Sequence, residues 1–210
     1  MEYAYTYGDP SRLYFNVTNR CTNRCAFCIR YKVDGLGGAI LWGGEEPDFR
    51  MLRSAVQKHG AFDEIREFIW CGFGEPTFRL DLINEAASWL RSCGAKIRLN
   101  TNGHACLIHG HDVLPELSRA VDTVSISLNA PNGRRYEELC CPDPGVVPDI
   151  GRSGATPKLL WNAMLDFLAR SPAYFECTQA SVVGFVLTAE EIEQCRSLAL
   201  SLGVTRFKVR

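Results

Sequence analysis

NRCTNRCAFCIR, residues 19–30, sets Cys21, Cys25 and Cys28 in the spacing C-x3-C-x2-C directly after a run of strand-forming residues. Thiolates this close repel one another unless a cation sits among them, so a metal is their natural occupant. Structural zinc asks for four protein ligands, usually as two pairs, and no second C-x2-C or Cys/His pair follows. An electron-transfer ferredoxin needs a fourth cysteine at a suitable spacing and has no use for a long α/β scaffold. Three cysteines on a four-iron cube leave one iron without a protein ligand, an open site for a substrate or cofactor.

Outward from the triplet, short β-branched or aromatic runs alternate with helical patterns. The strand runs are Arg12 to Val17, Phe68 to Gly72, Lys96 to Asn100, Thr123 to Leu128, Ala180 to Leu187 and Thr205 to Val209. Between them, helical period covers Asp48 to Lys58, Asp81 to Ser92, Val113 to Ala120, Pro157 to Arg170 and Ala189 to Leu202. Thr188 with Glu191 reads as a capping box, Gly203 as a C-terminal cap, and Thr156 before Pro157 as an N-cap. Such alternation implies right-handed βαβ units around a parallel sheet. The glycine-rich Lys32 to Glu46 and the segment Cys140 to Ala155 interrupt it as loops over one end of the sheet, either lids or plain surface excursions.

The 210 residues, 46% hydrophobic, suffice for one buried core, so a single domain over 1–210 is expected. A formal net charge of -1 leaves no global pull toward nucleic acid or an anionic membrane. MEYAYTYGDPSRLYFNVTNR, residues 1–20, lacks the pattern of a signal peptide, and no stretch approaches a membrane span, so a cytoplasmic protein is expected. In that reducing compartment the ten cysteines are free thiols or metal ligands.

The triplet, with Phe27 before its third cysteine and its place after the first strand of an alternating β/α chain, resembles the signature of the radical S-adenosylmethionine (radical SAM) superfamily. That resemblance implies a [4Fe-4S] cluster on Cys21, Cys25 and Cys28, with SAM chelated at the open iron through its amino and carboxylate groups. It implies reductive cleavage of SAM to methionine and a 5'-deoxyadenosyl radical, which abstracts hydrogen from a substrate. A flavodoxin- or ferredoxin-type electron donor is implied as partner. The fold implied is a partial (β/α)6 barrel, TIM-like and open on one side, since six strands cannot close an eight-stranded ring. The open side admits a large or macromolecular substrate, and Lys208 and Arg210 on the last strand are placed to meet an anionic group.

Sites of β/α barrels lie at the C-terminal ends of the strands, and those ends are polar here. Cys71-Gly72-Phe73-Gly74-Glu75-Pro76-Thr77 is similar to the family's Gly-Gly-Glu-Pro motif, in which backbone carbonyls receive the SAM ammonium. Phe73 stands between the glycines, which assigns the close approach to Gly74 and leaves Glu75 to offset positive charge. Asn100-Thr101-Asn102-Gly103 resembles the family's Thr-Asn-Gly strand end, with Asn102 facing the cofactor. Ser125-Ile126-Ser127-Leu128-Asn129 resembles its Ser-Leu-Asp stretch, with Ser127 for the SAM carboxylate or ribose and Asn129 in place of the usual aspartate. Val183, in Val182-Val183-Gly184-Phe185, is expected beside the adenine.

Asn16 to Cys25, the Gly-Phe-Gly-Glu-Pro-Thr turn, Asn100 to His104 and Ser127 to Pro131 together look like the TatD-associated radical SAM subfamily, which implies a functional link to a TatD-type hydrolase but no substrate. Of the other cysteines, Cys93 and Cys195 are expected as core thiols, while Cys71 and Cys140-Cys141 are placed to serve as thiol or hydrogen donors. His104, His109 and His111 are read as one exposed polar loop. Two function classes stay open: a SAM-cleaving enzyme, with a glycyl-radical-enzyme activase as its alternative form, and a non-catalytic iron-sulfur or zinc protein.

Overall fold

The structure is a computed structural model and describes residues 1–59, 64–146 and 156–210. Its strands are β1 (Ala4–Tyr7), β2 (Asp9–Asn16), β3 (Gly35–Leu36), β4 (Ala39–Ile40), β5 (Glu67–Cys71), β6 (Lys96–Thr101), β7 (Thr123–Ser127), β8 (Cys177–Val182) and β9 (Arg206–Val209). Its helices are α1 (Phe49–Gln57), α2 (Leu80–Ser92), α3 (Ala105–His109), α4 (Leu114–Ala120), α5 (Gly133–Cys140), α6 (Pro157–Arg170) and α7 (Ala189–Ser201). A seven-stranded sheet runs in the order β1-β2-β5-β6-β7-β8-β9, and β3 and β4 form a separate hairpin. Within the seven-stranded sheet every pairing from β2 onward is parallel. The result is an open α/β sheet of the partial TIM-barrel kind.

Alternation along the strands separates two unlike faces. Leu13, Phe15, Phe68, Trp70, Ile97, Leu99, Val124, Ile126, Ala180 and Val182 are buried against the helices, meeting Leu52 and Val56 of α1, Ile83 and Leu90 of α2, and Phe167 of α6. Phe15 stacks on Phe68 and meets Trp70 edge-on at 4.9 Å. The opposite, concave face carries Tyr14, Arg98, Asn100, Ser125 and Gln179, and the Gln179 amide donates to the Ser125 hydroxyl at 2.9 Å. Parallel sheets buried on both faces are near-continuously apolar. A polar inner face marks a barrel that is not filled by its own side chains.

Several boundaries differ from the sequence expectation. The sheet has a seventh strand, because β1 pairs antiparallel with β2 through a turn at Gly8, whose φ of +73° suits glycine. The run expected over Ala180 to Leu187 leaves the sheet after Val182. Gly184 then lies against Val209, where a Cβ would come to 2.6 Å of Cγ1, and the chain turns into a 3-10 helix over Gly184–Val186. Thr156 precedes α6 without a side-chain cap bond. Cys140 closes α5 instead of opening a loop, and residues 147–155 of that segment lie outside the described residues. Among the described residues no helix is long and apolar enough to cross a membrane.

At the start of α7 the Thr188 hydroxyl accepts from the Glu191 N–H at 3.1 Å, and the Glu191 carboxylate accepts from the Thr188 N–H at 2.8 Å. Thr188→Ala removes the reciprocal pair and is expected to lower unfolding free energy by about 1 kcal/mol, read as a lower urea midpoint at unchanged slope.

Candidate functional site

All the parallel strands end on one edge, and the chain leaving β2 there forms the cysteine loop. Cys21, Cys25, Phe27, Cys28, Gly72, Gly74, Glu75, Asn102, Ser127 and Val183 all line one cavity of about 340 Å3 at that edge. Asn23, Cys71, Asn129, Phe185 and Arg210 complete much of its wall. Among the described residues no three His, Cys, Asp or Glu side chains converge closely enough to hold one ion. A cubic cluster takes each thiolate on a different iron, which suits thiols spread along one wall.

Backbone contacts hold the loop in place. Glu75 N–H donates to the Arg20 carbonyl at 2.8 Å, and a Cβ on Gly74 would come to 2.5 Å of that same oxygen. The close approach assigned to Gly74 is therefore made by the cysteine loop itself. Gly72, with φ of +114°, abuts Asn16, whose Oδ1 accepts from the Phe73 N–H at 3.1 Å. The Phe73 side chain that breaks the glycine pair is buried with Tyr5, Ala39 and Leu41. On the far side, Arg24 N–H donates to Cys140 O and Ala26 N–H to Leu139 O, both at 3.0 Å, tying the loop to the end of α5.

The segment Lys32 to Glu46, expected as a lid or a plain surface excursion, braces the loop. Asn16 and Asn19 side chains donate to the Leu41 carbonyl at 2.9 and 3.0 Å. Glu46 receives both Nε and Nη2 of Arg20 at 2.8 Å and also accepts from the Thr18 hydroxyl. Burial opposes ionisation of Glu46, but the Arg20 and Thr18 donors and the Arg79 charge hold its carboxyl below the usual range.

Glu75 has a structural post where charge compensation was expected. Its carboxylate, 2% exposed, accepts from Thr77 N–H at 3.1 Å, the Thr77 and Thr101 hydroxyls at 2.8 Å, and Asn102 N–H at 2.7 Å. Burial pushes its pKa up against those donors. Asn102 in turn donates its amide to the Thr22 hydroxyl at 2.8 Å, with Cys21 Sγ 3.8 Å away.

The reading of His104, His109 and His111 as one exposed loop is corrected. His104 is fully buried, His109 belongs to α3 and meets the Thr77 carbonyl at 2.7 Å, and only His111 is exposed. Thr22 Oγ1 lies 2.7 Å from His104 Nδ1, while Tyr136 OH lies 3.1 Å from Nε2 and accepts from the Asn23 amide at 2.9 Å. A buried chain thus runs from the strand end of β6 through the cysteine loop to α5. Nothing local in the sequence announces it, although Thr22 and Asn23 sit inside the cysteine spacing.

Burial pushes the Cys21 thiol up to about 12 and raises that of Cys28. A hydrogen bond from Cys140 holds Cys25 below the ordinary thiol value, and the same bond raises Cys140. Ligation by a metal cation reverses this burial term, so the donor set fits an iron-sulfur cluster. The Arg30 guanidinium, donating to the Asn19 and Phe73 carbonyls at 3.2 and 3.3 Å, adds a fixed positive charge near Cys21, Cys25 and Cys28.

Two outcomes follow from this packing. Gly74→Ala is expected to cost about 1–3 kcal/mol and to lower iron bound per chain after anaerobic reconstitution. Burial holds His104 neutral, its pKa pushed down to about 3 from 6.5. The unfolded chain therefore takes up the proton first, so this stability is complete above 6.5 and lost as pH falls toward 3. Denaturant titrations of the metal-free protein should show stability falling between pH 7 and 5 by up to about 1.4 kcal/mol per unit from this group, and His104→Gln should flatten that slope.

A family model described as the radical SAM superfamily matches residues 15–199. No curated protein matches the sequence. Among solved structures, Streptococcus suis SuiB bound to S-adenosylmethionine superposes with TM-score 0.66 at 16% identity, covering 95% of this chain and 40% of SuiB. Methylornithine synthase (PylB) gives 0.59 at 12% identity over 95% of this chain and 52% of its own. An archaeal TYW1 gives 0.56 at 12% identity, covering 98% and 67% respectively. The chain thus spans well under half of SuiB, and at these identities the likeness bears on the fold. With the family match running through the cysteine loop and strands β5 to β8, the chain belongs to the radical SAM superfamily of enzymes, which implies SAM and a [4Fe-4S] cluster as its cofactors.

Proposed function

We propose that residues 1–210 form a single radical SAM core domain that holds a [4Fe-4S] cluster on Cys21, Cys25 and Cys28 and acts on a substrate reaching the open side of the sheet. The observation that carries this reading is the convergence of all three thiols and the ends of β5, β6, β7 and β8 on one cavity wall. When bound, the cluster and SAM supply a reductive carbon-sulfur cleavage whose 5'-deoxyadenosyl product abstracts hydrogen from the substrate.

The chain's own groups divide the remaining work. Backbone at Gly72 and Gly74 lines the wall beside the cysteines and offers carbonyl oxygens to the SAM ammonium. Asn23 and Asn129 each carry a buried Oδ1 with no partner among the described residues, further acceptors at that wall. Ser127 offers a hydroxyl for the SAM carboxylate or ribose. Val183 and Phe185 offer apolar surface for the adenine, and Phe185 is 72% exposed at the rim. Glu75 and Asn102 act as positioning residues, because their polar groups are engaged by Thr77, Thr101 and Thr22.

The narrower TatD-associated reading rests on the strand-end motifs and carries a functional link to a TatD-type hydrolase. Ten free thiols suit a reducing, cytoplasmic setting and a flavodoxin- or ferredoxin-type donor. SuiB is solved with its precursor peptide SuiA, and a peptide is a substrate class that an open side would admit.

Purified without oxygen and reconstituted with iron and sulfide, the protein should be brown and, with dithionite and SAM, should form 5'-deoxyadenosine. Serine at Cys21, Cys25 or Cys28 should abolish both colour and product. Stoichiometric zinc in a colourless anaerobic preparation would overturn the assignment.

A further inference from the structure

The concave face of the sheet carries mainly one sign of charge beside the cavity. On β9, Phe207 packs into the core, so the alternating Arg206 and Lys208, with Arg210 next in line, lie on the concave side. Parallel pairing sets Lys208 beside Ser181, and Arg210 keeps the ladder through its N–H to Val182 O at 2.9 Å. Among the described residues neither Arg206 nor Lys208 meets a carboxylate. Arg210 Nη2 donates to the Ser127 hydroxyl at 3.1 Å, a neutral partner on the cavity wall.

Arg98 sits on the same face, two residues before the cavity-lining Asn100. Among the described residues its only acid is Glu67, which it shares with Arg12, both contacts at 3.3 Å, and its Nε is buried with no partner among them. The Arg210 guanidinium is held below its ordinary pKa by partial desolvation, which outweighs the opposing Cys71 and is helped by the Arg98 charge, although the residue keeps an exposed side. Arg98 shares its acid with Arg12, and Arg210 has only a neutral hydroxyl partner, so an anion beside Arg210 meets positive charge that the fold leaves under-compensated. The acid that lines the cavity, Glu75, has its oxygens occupied by Thr77, Thr101 and Asn102.

We propose that this wall receives an oxyanion of the substrate, a carboxylate or phosphate, held by Arg210 with Lys208 beside it and Arg98 beneath. A guanidinium presents paired N–H donors that match either oxyanion, and the ammonium adds a point charge at the open side. The inference rests on the radical SAM reading in one respect, that the anion is carried by the molecule whose hydrogen is abstracted. SAM also has a carboxylate, so the two anions must be separable by experiment.

The test is calorimetric titration of anaerobically reconstituted protein with inorganic phosphate and, separately, with acetate, each with and without saturating SAM. Saturable binding that weakens with added salt and persists with SAM present is expected. Arg210→Gln should weaken it about tenfold, Arg210→Lys less, and the exposed Lys208→Gln about threefold. A preference for phosphate or for acetate tells which oxyanion the substrate carries. Failure to bind either anion, binding indifferent to all three variants, or binding abolished by SAM would each overturn the proposal. Anion binding by a chain that assembles no cluster would instead remove the radical SAM reading and leave the anion site standing.

Discussion

A single buried carboxylate organises the edge of the sheet where the chemistry is placed. An ionised carboxyl taken out of water costs several kcal/mol unless its lone pairs are satisfied. Glu75 meets that demand with donors from its own turn and from the end of β6. Two adjacent strand ends are thereby fixed relative to each other, and Asn102, held by the same carboxylate, reaches Thr22 inside the cysteine loop. The loop's conformation thus depends on a charge that lies outside it. Glycine at position 74 completes the arrangement by letting the loop backbone settle against the turn.

The two faces of the sheet explain why the site is built at an open edge. The convex face closes a continuous apolar core with the helices, which supplies the stability of the fold. On the concave face, Tyr14, Arg98, Asn100, Ser125 and Gln179 surround the buried Ile69, a mostly polar surface unlike the apolar layers that fill a closed eight-stranded barrel. Such a face gains little from burial against itself, so it is available to ligands. On the proposed reading, the cysteines at one end of this face and the cations of β9 at its side divide the surface between cofactor and substrate.

Phe73 and the hairpin of β3 and β4 form a second, smaller packing unit. Tyr5, Ala39, Leu41 and Phe73 are buried together, with Trp42 edge-on to Phe73 at 5.5 Å. Residues that read as an interruption of the β/α alternation therefore anchor the cysteine loop from outside, through Leu41 O and Glu46. The substitution of phenylalanine for a glycine in the strand-end motif is compatible with a glycine-lined wall because its ring is accommodated in that unit.

Sequence alone determined what depends on short-range spacing. Hydrophobic period located the six parallel strands and five of the helices within a few residues, the Thr188 and Gly203 signals marked the ends of α7, and the cysteine triplet with the strand-end motifs named residues that share one cavity. These are legible because a parallel sheet brings every strand's C-terminal end to the same edge, so local position along each strand fixes where its last residues go. Tertiary structure decided the rest. Strand β1 was legible in principle from Tyr3-Ala4-Tyr5-Thr6-Tyr7, but its pairing with β2 depends on the turn at Gly8. The Thr22–His104–Tyr136–Asn23 chain, Cys140 beside Cys25, and Arg98 near Arg210 each join residues far apart in the chain. No spacing rule reaches across such separations, because those contacts exist only once the sheet and its helices have set the distances between segments.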